Sequence, residues 1–133
     1  MTSIPNKYRG TMLYPRVIAE LITAAQYQGV TTYQDVAVIM GLPLQGSHMG
    51  REVGYILGEI SEDEVLAGRP MLSAVAVSVG GRAGPGFFAL ARTLNRLAGA
   101  TDENAFWDAE RNAVYSTWKR PLRSGPAGPG PQA

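Results

Sequence analysis

The sequence predicts a mainly helical α+β fold in a single domain. Apolar residues recur at helical spacing in several stretches, whereas residues 71–79 (MLSAVAVSV) are rich in valine and alternate in the manner of a β-strand. A glycine-rich loop at 80–86 follows this predicted strand. The chain has 133 residues, a length typical of one domain, and 45% of them are hydrophobic, which is enough for one core.

The chain divides into three parts. We expect an N-terminal arm at 1–12, a folded domain at 13–122 and a disordered tail at 123–133. Lys7 and Arg9 make the arm basic. The tail consists largely of proline, glycine and other small residues, so it buries too little apolar surface to offset the entropy of ordering.

Two predicted helices form a helix-turn-helix over residues 31–60. Thr31 or Thr32 can cap the first of them with its side-chain oxygen, and the sequence GLP at 41–43 ends it. The second helix covers about 48–60, where apolar residues again recur at helical spacing. Together with the valine-rich strand and the glycine-rich loop, this order suggests a winged helix-turn-helix, in which one helix can enter the major groove of DNA.

Capping patterns predict where the remaining helices begin. For the first helix the signal is instead the helical spacing of apolar residues, which begins near Leu13. Ser61 and Glu64 have the spacing of a capping box, which predicts a new short helix after residue 60. Thr101 is the expected cap of the last helix, over 102–120.

Composition excludes several classes of function. The chain contains no cysteine, which excludes disulfides, thiolate zinc sites and thiol catalysis, and its only histidine, His48, has no second ligand in view, so we expect neither a metal nor a cofactor. The net charge of +1 means that DNA binding would require a local basic face. Because no apolar run approaches about 20 residues and no signal peptide is evident, we expect a cytoplasmic protein without a membrane partner.

Several short segments follow one another in a distinctive order. They are Tyr14-x-x-Val17-x-x-x-Leu21, TTYQDVA at 31–37, GLP at 41–43, REVG at 51–54, and Pro70 before the valine-rich strand. In this order and at this spacing they resemble the C-terminal DNA-binding domain of O6-alkylguanine-DNA alkyltransferases and the alkyltransferase-like proteins. The resemblance covers about residues 14–88.

The resemblance implies roles for individual residues. Tyr33 matches the family tyrosine that presses on the phosphate beside the target nucleotide. Arg51 matches the arginine finger that fills the base stack once that nucleotide has been flipped out. Pro70 matches the proline before the reactive cysteine, which places Met71 at the position equivalent to that cysteine.

The departures from the family pattern imply that no alkyl group is transferred to the protein. Met71 cannot form a thiolate. Leu72 and Ser73 replace the histidine and arginine that follow the family cysteine, and the family's activating glutamate has no evident counterpart. The resemblance therefore implies a non-catalytic DNA-binding protein that recognises modified or flipped bases, or duplex DNA alone. The predicted DNA contacts are Tyr33, Ser47, Arg51 and Arg82, on and beside a recognition element at 47–58.

Two other functions remain open from the sequence. The aromatic residues of the last helix, Phe106, Trp107 and Trp118, can instead form a surface for a protein partner or for a second copy of the chain. A metal-dependent nuclease is a third and weaker alternative, based on four acidic residues: Glu59, Glu62, Asp63 and Glu64. At the residue level, Tyr33 can equally be a half-buried tyrosine with a hydrogen-bonded hydroxyl, and Arg51 a solvated helix residue.

Overall fold

The computed structural model describes residues 4–99 and 101–120. In this part of the chain five α-helices surround a short 3-10 helix and two short strands, so the predicted mainly helical α+β fold is confirmed. The elements are α1 (Leu13–Gln26), β1 (Thr31–Thr32), α2 (Tyr33–Met40), α3 (Gly46–Leu66), the 3-10 helix (Leu72–Val75), β2 (Ala76–Val77), α4 (Pro85–Thr93) and α5 (Glu103–Trp118). None of the described helices is long and apolar enough to cross a membrane.

The predicted pair of helices within 31–60 is confirmed as α2 and α3. The Thr32 side chain accepts a hydrogen bond from the backbone N–H of Asp35 at 3.0 Å and thereby caps α2. Gly41 ends α2 in a left-handed conformation with φ of 73°, which glycine adopts without strain. The beginning and the end of α2 are therefore encoded locally, the first by a threonine cap and the second by a glycine.

The predicted helix start at Ser61 is wrong. Ser61 lies inside α3, which runs without a break from Gly46 to Leu66, and its side chain is buried. Its hydroxyl bonds to Ser73, with 2.7 Å between the two Oγ atoms, instead of capping a helix. The expected cap of the last helix is also displaced by one residue, because Asp102 rather than Thr101 accepts the backbone N–H of Asn104 at 2.9 Å.

The predicted strand at 71–79 is largely wrong. Residues 72–75 form the 3-10 helix, and only Ala76 and Val77 pair with another strand. Two facts explain the difference. Residues 71–77 are all buried, so their alternation does not mark one face of a sheet, and the partner β1 offers only two residues for pairing. The two strands run parallel, with Thr31 opposite Ala76.

The loop after β2 leads directly into α4. Ser78 and Arg82 close a tight turn, in which the Ser78 N–H donates to the Arg82 carbonyl at 2.9 Å. Within the described residues the parallel pair of β1 and β2 is the whole sheet, so this loop is not followed by an antiparallel strand.

The aromatic residues of α5 pack mainly inward. Trp107 is 8% exposed, and its indole N–H donates to the carbonyl of Ala74 at 2.9 Å. Phe106 and Trp118 are half-buried and pack against the core, where the rings of Phe106 and Phe87 lie 5.9 Å apart between centroids. These rings therefore tie α5 to the 3-10 helix and α4.

The described part of the arm is fixed on α3. The Glu59 carboxylate is fully buried and accepts the backbone N–H groups of Lys7, Tyr8 and Arg9 at 2.8–3.0 Å. The Arg9 guanidinium adds bonds to Asp63 at 3.0 Å and to a second α3 carboxylate, that of Glu62, at 2.7 Å. The expected disordered tail, 123–133, lies outside the described residues.

Candidate functional site

An apolar pocket lies between the first half of α3 and the beginning of α4. Its volume is about 260 Å³. Its walls come from α3, α4, the segment before α4, and one residue each from α2 and the 3-10 helix. The lining residues are Tyr33, Met49, Gly50, Val53, Gly54, Leu57, Ser73, Gly84, Pro85, Gly86, Phe87 and Leu90. None of these side chains carries a charge.

Two glycines of α3 keep one wall of the pocket open. Gly50 and Gly54 are one helical turn apart, and both line the pocket. A Cβ atom added at either position would meet nothing within 4 Å. Each glycine destabilises the helix by up to about 1 kcal/mol relative to alanine. The space that two side chains would otherwise fill is part of the pocket.

Tyr33 holds the segment that forms the opposite wall. Its hydroxyl oxygen accepts the backbone N–H of Gly84 at 2.9 Å. The tyrosine ring approaches so closely that a Cβ on Gly84 would lie 3.2 Å from the hydroxyl oxygen. Burial raises the pKa of Tyr33, although the Gly84 N–H opposes the shift, so the hydroxyl keeps its proton at neutral pH. That hydrogen has no acceptor within the described part of the chain.

Ser73 is the second hydroxyl-bearing residue of the pocket lining. It is 4% exposed and belongs to the 3-10 helix. Ser61 Oγ accepts the backbone N–H of Ser73 at 3.2 Å, and a hydrogen bond of 2.7 Å joins the Oγ atoms of the two serines. Either hydroxyl can donate its hydrogen in the bond between the two oxygens, so the pair uses one of its two hydroxyl hydrogens in this contact.

Arg51 and Ser47 are exposed on the part of α3 that borders the pocket. Arg51 follows Gly50 directly, and its side chain is 52% exposed. One guanidinium nitrogen lies 3.1 Å from Nδ1 of His48, and Nε lies 3.6 Å from the Glu52 carboxylate. Hydrogen bonds to that carboxylate, first from Lys7 and then from Tyr8 of the arm, lower the pKa of Glu52 to about 2, so it balances part of the Arg51 charge.

Arg82 is exposed in the turn before α4. It precedes the pocket residue Gly84 by two positions, and its guanidinium donates to the side chain of Asn104. The structure therefore brings Tyr33 into the pocket and leaves Ser47, Arg51 and Arg82 on the surface, next in sequence to segments that line it.

Met71 does not reach the pocket. Its side chain is fully buried, and its backbone N–H donates to the Glu110 carboxylate at 2.8 Å. Two positions later, Ser73 is the residue of this segment that faces the pocket. The sequence did not predict that Ser73 lines the pocket. Its alternating pattern predicted a strand at 71–79, whereas the 3-10 helix determines which of these residues lies at the pocket.

The two alternative sites offer less to a ligand. The rings of α5 are occupied in packing, as described above. The acidic residues of α3 are bound to basic groups or to backbone N–H groups, including Glu64, which pairs with Arg69 at 2.7 Å. Within residues 4–99 and 101–120, no group of three or more histidine or acidic residues could hold a metal ion.

Most basic side chains of the described chain are likewise paired. An ion pair with a carboxylate is formed by each of seven basic residues: Lys7, Arg9, Arg51, Arg69, Arg92, Arg96 and Arg111. A basic face for DNA would consequently be narrow, with Arg51 and Arg82 as its members near the pocket. Comparison of the chain with models of protein families, with curated proteins and with solved structures found no match.

Proposed function

We propose that the protein is a non-catalytic DNA-binding protein with an alkyltransferase-like winged helix-turn-helix, and that its pocket receives a flipped or modified base. The observation that carries the proposal is the position of the pocket, which is lined by Gly50 and Gly54 at the exposed beginning of the second helix of the helix-turn-helix. In this arrangement α3 is the recognition helix, and the turn at 78–84 takes the place of the wing.

The exposed first turns of α3 suit close approach to a duplex. In a helix-turn-helix the N-terminal residues of the second helix contact base edges. Here those residues include Ser47 and Arg51, which can donate to bases or phosphates, and Gly50 and Gly54, which have no side chain to keep a DNA backbone away. Arg51 would fill the space that a flipped base leaves in the stack.

The pocket supports binding without bond formation. The hydroxyl-bearing residues of the lining are Tyr33 and Ser73, and the side-chain partner of Ser73 is Ser61 rather than a histidine or carboxylate. A serine without an adjacent base is a weak nucleophile. Binding should therefore leave the mass of the protein unchanged, and mass spectrometry after incubation with alkylated DNA tests this directly.

A salt-dependent titration tests the proposal. Plain duplex DNA and a duplex containing O6-methylguanine are titrated with the protein, with Arg51→Ala, and with Arg16→Ala, which removes an exposed arginine of α1 distant in sequence from the pocket segments. Loss of a specific base contact at Arg51 should weaken binding by roughly 5- to 150-fold. Arg16→Ala should have little effect.

The titration can also refute the proposal. An Arg51→Ala protein that melts as the wild type does and binds both duplexes unchanged would contradict it, as would wild-type affinity that does not fall as salt rises. A preference for the modified duplex would support the base pocket, whereas equal affinity for both would restrict the function to duplex binding.

A further inference from the structure

We propose that Lys7 of the N-terminal arm contacts a DNA phosphate beside the position of Arg51, and that the buried carboxylate of Glu52 holds these two basic side chains together. The arm thereby becomes part of the DNA-binding surface, together with α3, the pocket and the turn at 78–84. Lys7 takes this role only if the chain binds DNA, so the inference rests on the proposed function.

A single buried carboxylate connects the arm to the exposed beginning of α3. Glu52 is 3% exposed. The Lys7 ammonium lies 2.6 Å from its Oε1 atom, and Nε of Arg51 lies 3.6 Å from its Oε2 atom. The hydroxyl of Tyr8 also donates to Oε1. Lys7 and Arg51 are therefore neighbours across one carboxylate, and Arg51 directly follows Gly50, which lines the pocket.

This cluster carries an excess of positive charge. Two basic side chains share the one carboxylate of Glu52, so one positive charge is left over. In the other ion pairs of the described residues, every basic side chain has a carboxylate that no other basic side chain shares, and Arg9 has two, those of Glu62 and Asp63. The excess lies on the first turns of the proposed recognition helix, where it attracts phosphate, whereas Arg9 is neutralised by its own partners.

Lys7 keeps part of its ammonium free for a phosphate oxygen. Its side chain is 50% exposed. A lysine ammonium has three hydrogens to donate, and within the described chain its one hydrogen-bond acceptor is Glu52 Oε1. The rings of Tyr8 and Tyr55 lie 5.7 and 5.5 Å from Nζ and hold the charge in place through cation–π contacts. Because Lys7 is positioned before DNA arrives, less side-chain entropy is lost on binding.

The two lysines of the chain, Lys7 and Lys119, supply a matched pair of variants. Lys7→Gln and Lys119→Gln remove the same charge and leave a side chain of the same type. Lys119 follows Trp118, whose ring lies 5.6 Å from the guanidinium carbon of Arg69, beyond the C-terminal end of α3. Lys7 is bound near the other end of this helix of 21 residues, which is roughly 30 Å long at about 1.5 Å per residue.

The experiment measures how the affinity for plain duplex DNA changes with salt concentration. Lys7→Gln should lower the slope of log affinity against log salt by about 0.9, the value for one phosphate, and should weaken binding roughly 8-fold at about 0.1 M salt. Lys119→Gln should leave the slope unchanged. The loss in Lys7→Gln should be equal for plain and O6-methylguanine duplexes, since a phosphate contact carries no sequence information.

Further variants of Lys7 separate its charge from its packing. Lys7→Arg keeps the charge and should keep the slope. Lys7→Gln retains the backbone N–H through which residue 7 is anchored on the Glu59 carboxylate, so we expect it to fold. If it does not, Lys7→Met takes its place in the titration, because its apolar chain can still pack on the rings of Tyr8 and Tyr55.

The results that overturn the phosphate contact differ from those that overturn the proposed function. The contact is overturned by a slope in Lys7→Gln equal to that of the wild type, by an equal reduction in Lys119→Gln, by a slope that Lys7→Arg loses as well, or by a loss confined to the modified duplex. In each of these cases, DNA binding by the wild type and its dependence on Arg51 can still stand. A wild-type protein that does not bind DNA overturns both proposals.

Discussion

Residues 46–57 of α3 line a pocket with Gly50 and Gly54 and contact the N-terminal arm through Glu52, whereas residues 58–66 of the same helix bind the backbone of that arm. In the second half, the buried Glu59 carboxylate accepts three backbone N–H groups from the arm. In the first half, a Cβ atom at Gly50 or Gly54 would meet nothing. One continuous helix therefore combines a closely packed region with an open one.

The comparison separates polar groups that stabilise the fold from polar groups that remain free for a ligand. Glu59 is buried with hydrogen-bond donors on both carboxylate oxygens. Tyr33, beside the open half, retains a hydroxyl hydrogen that no described residue accepts. A fully partnered buried group is expected in a stable core, whereas a buried hydroxyl with an unused donor indicates where an acceptor can bind.

The largest expected effect is the loss of the arm anchor. Glu59→Ala removes a buried charge-assisted acceptor for three backbone donors and should lower the free energy of unfolding by at least about 3 kcal/mol. Urea denaturation measures the change. Glu62→Ala is the matched control, because this neighbouring carboxylate is partly exposed and its ion pair with Arg9 should contribute under about 1 kcal/mol. Equal effects for the two variants would show that the arm does not depend on Glu59.

The second effect concerns the wall of the pocket. Tyr33→Phe leaves the Gly84 N–H without its acceptor and should destabilise the protein by about 1–2 kcal/mol. The relevant control is Tyr27→Phe, since Tyr27 is 79% exposed. Thermal unfolding of both variants measures the difference, and a melting temperature for Tyr33→Phe equal to that of the wild type would mean that the bond to Gly84 adds nothing.

The third effect has the opposite sign. Gly54→Ala should stabilise the protein by up to about 1 kcal/mol, since alanine favours the helix and its Cβ meets no atom. Gly54→Leu should also fold, but it fills the pocket and should abolish binding of a small apolar probe such as benzene, followed by NMR. If the leucine variant is folded and binds the probe as the wild type does, the probe lies elsewhere.

At Glu52 the pH profile is diagnostic rather than the size of the effect. Hydrogen bonds from Lys7 and Tyr8 lower the pKa of Glu52 to about 2, below its usual value of 4.5. A lowered carboxyl pKa stabilises the fold above the unfolded-state pKa, and that stabilisation is lost as pH falls. The stability difference between wild type and Glu52→Gln should thus be constant near neutrality and shrink between pH 4.5 and pH 2. A difference that does not change over this range would refute the ion-pair account.

Local signals predicted the two helices within residues 31–60 but not the groups that line the pocket. The Thr32 cap, the Gly41 stop and helical periodicity placed α2 and the core of α3 correctly. The resemblance directed attention to Tyr33, which does line the pocket, and to Met71, which lies in the core instead. Ser73 was passed over, since nothing near it in sequence marks a serine that will face a cavity.

The sequence by itself determined where α2 begins and ends, because a capping oxygen and a left-handed glycine act on backbone groups within a few residues. It also determined that no cysteine chemistry is available. Only the tertiary structure decided that Ser61 continues a helix and that Leu72–Val75 form a 3-10 helix. The physical reason is that both depend on partners distant in the sequence: Ser61 bonds to Ser73, and the strand after the 3-10 helix can pair only as far as the two residues of β1 extend.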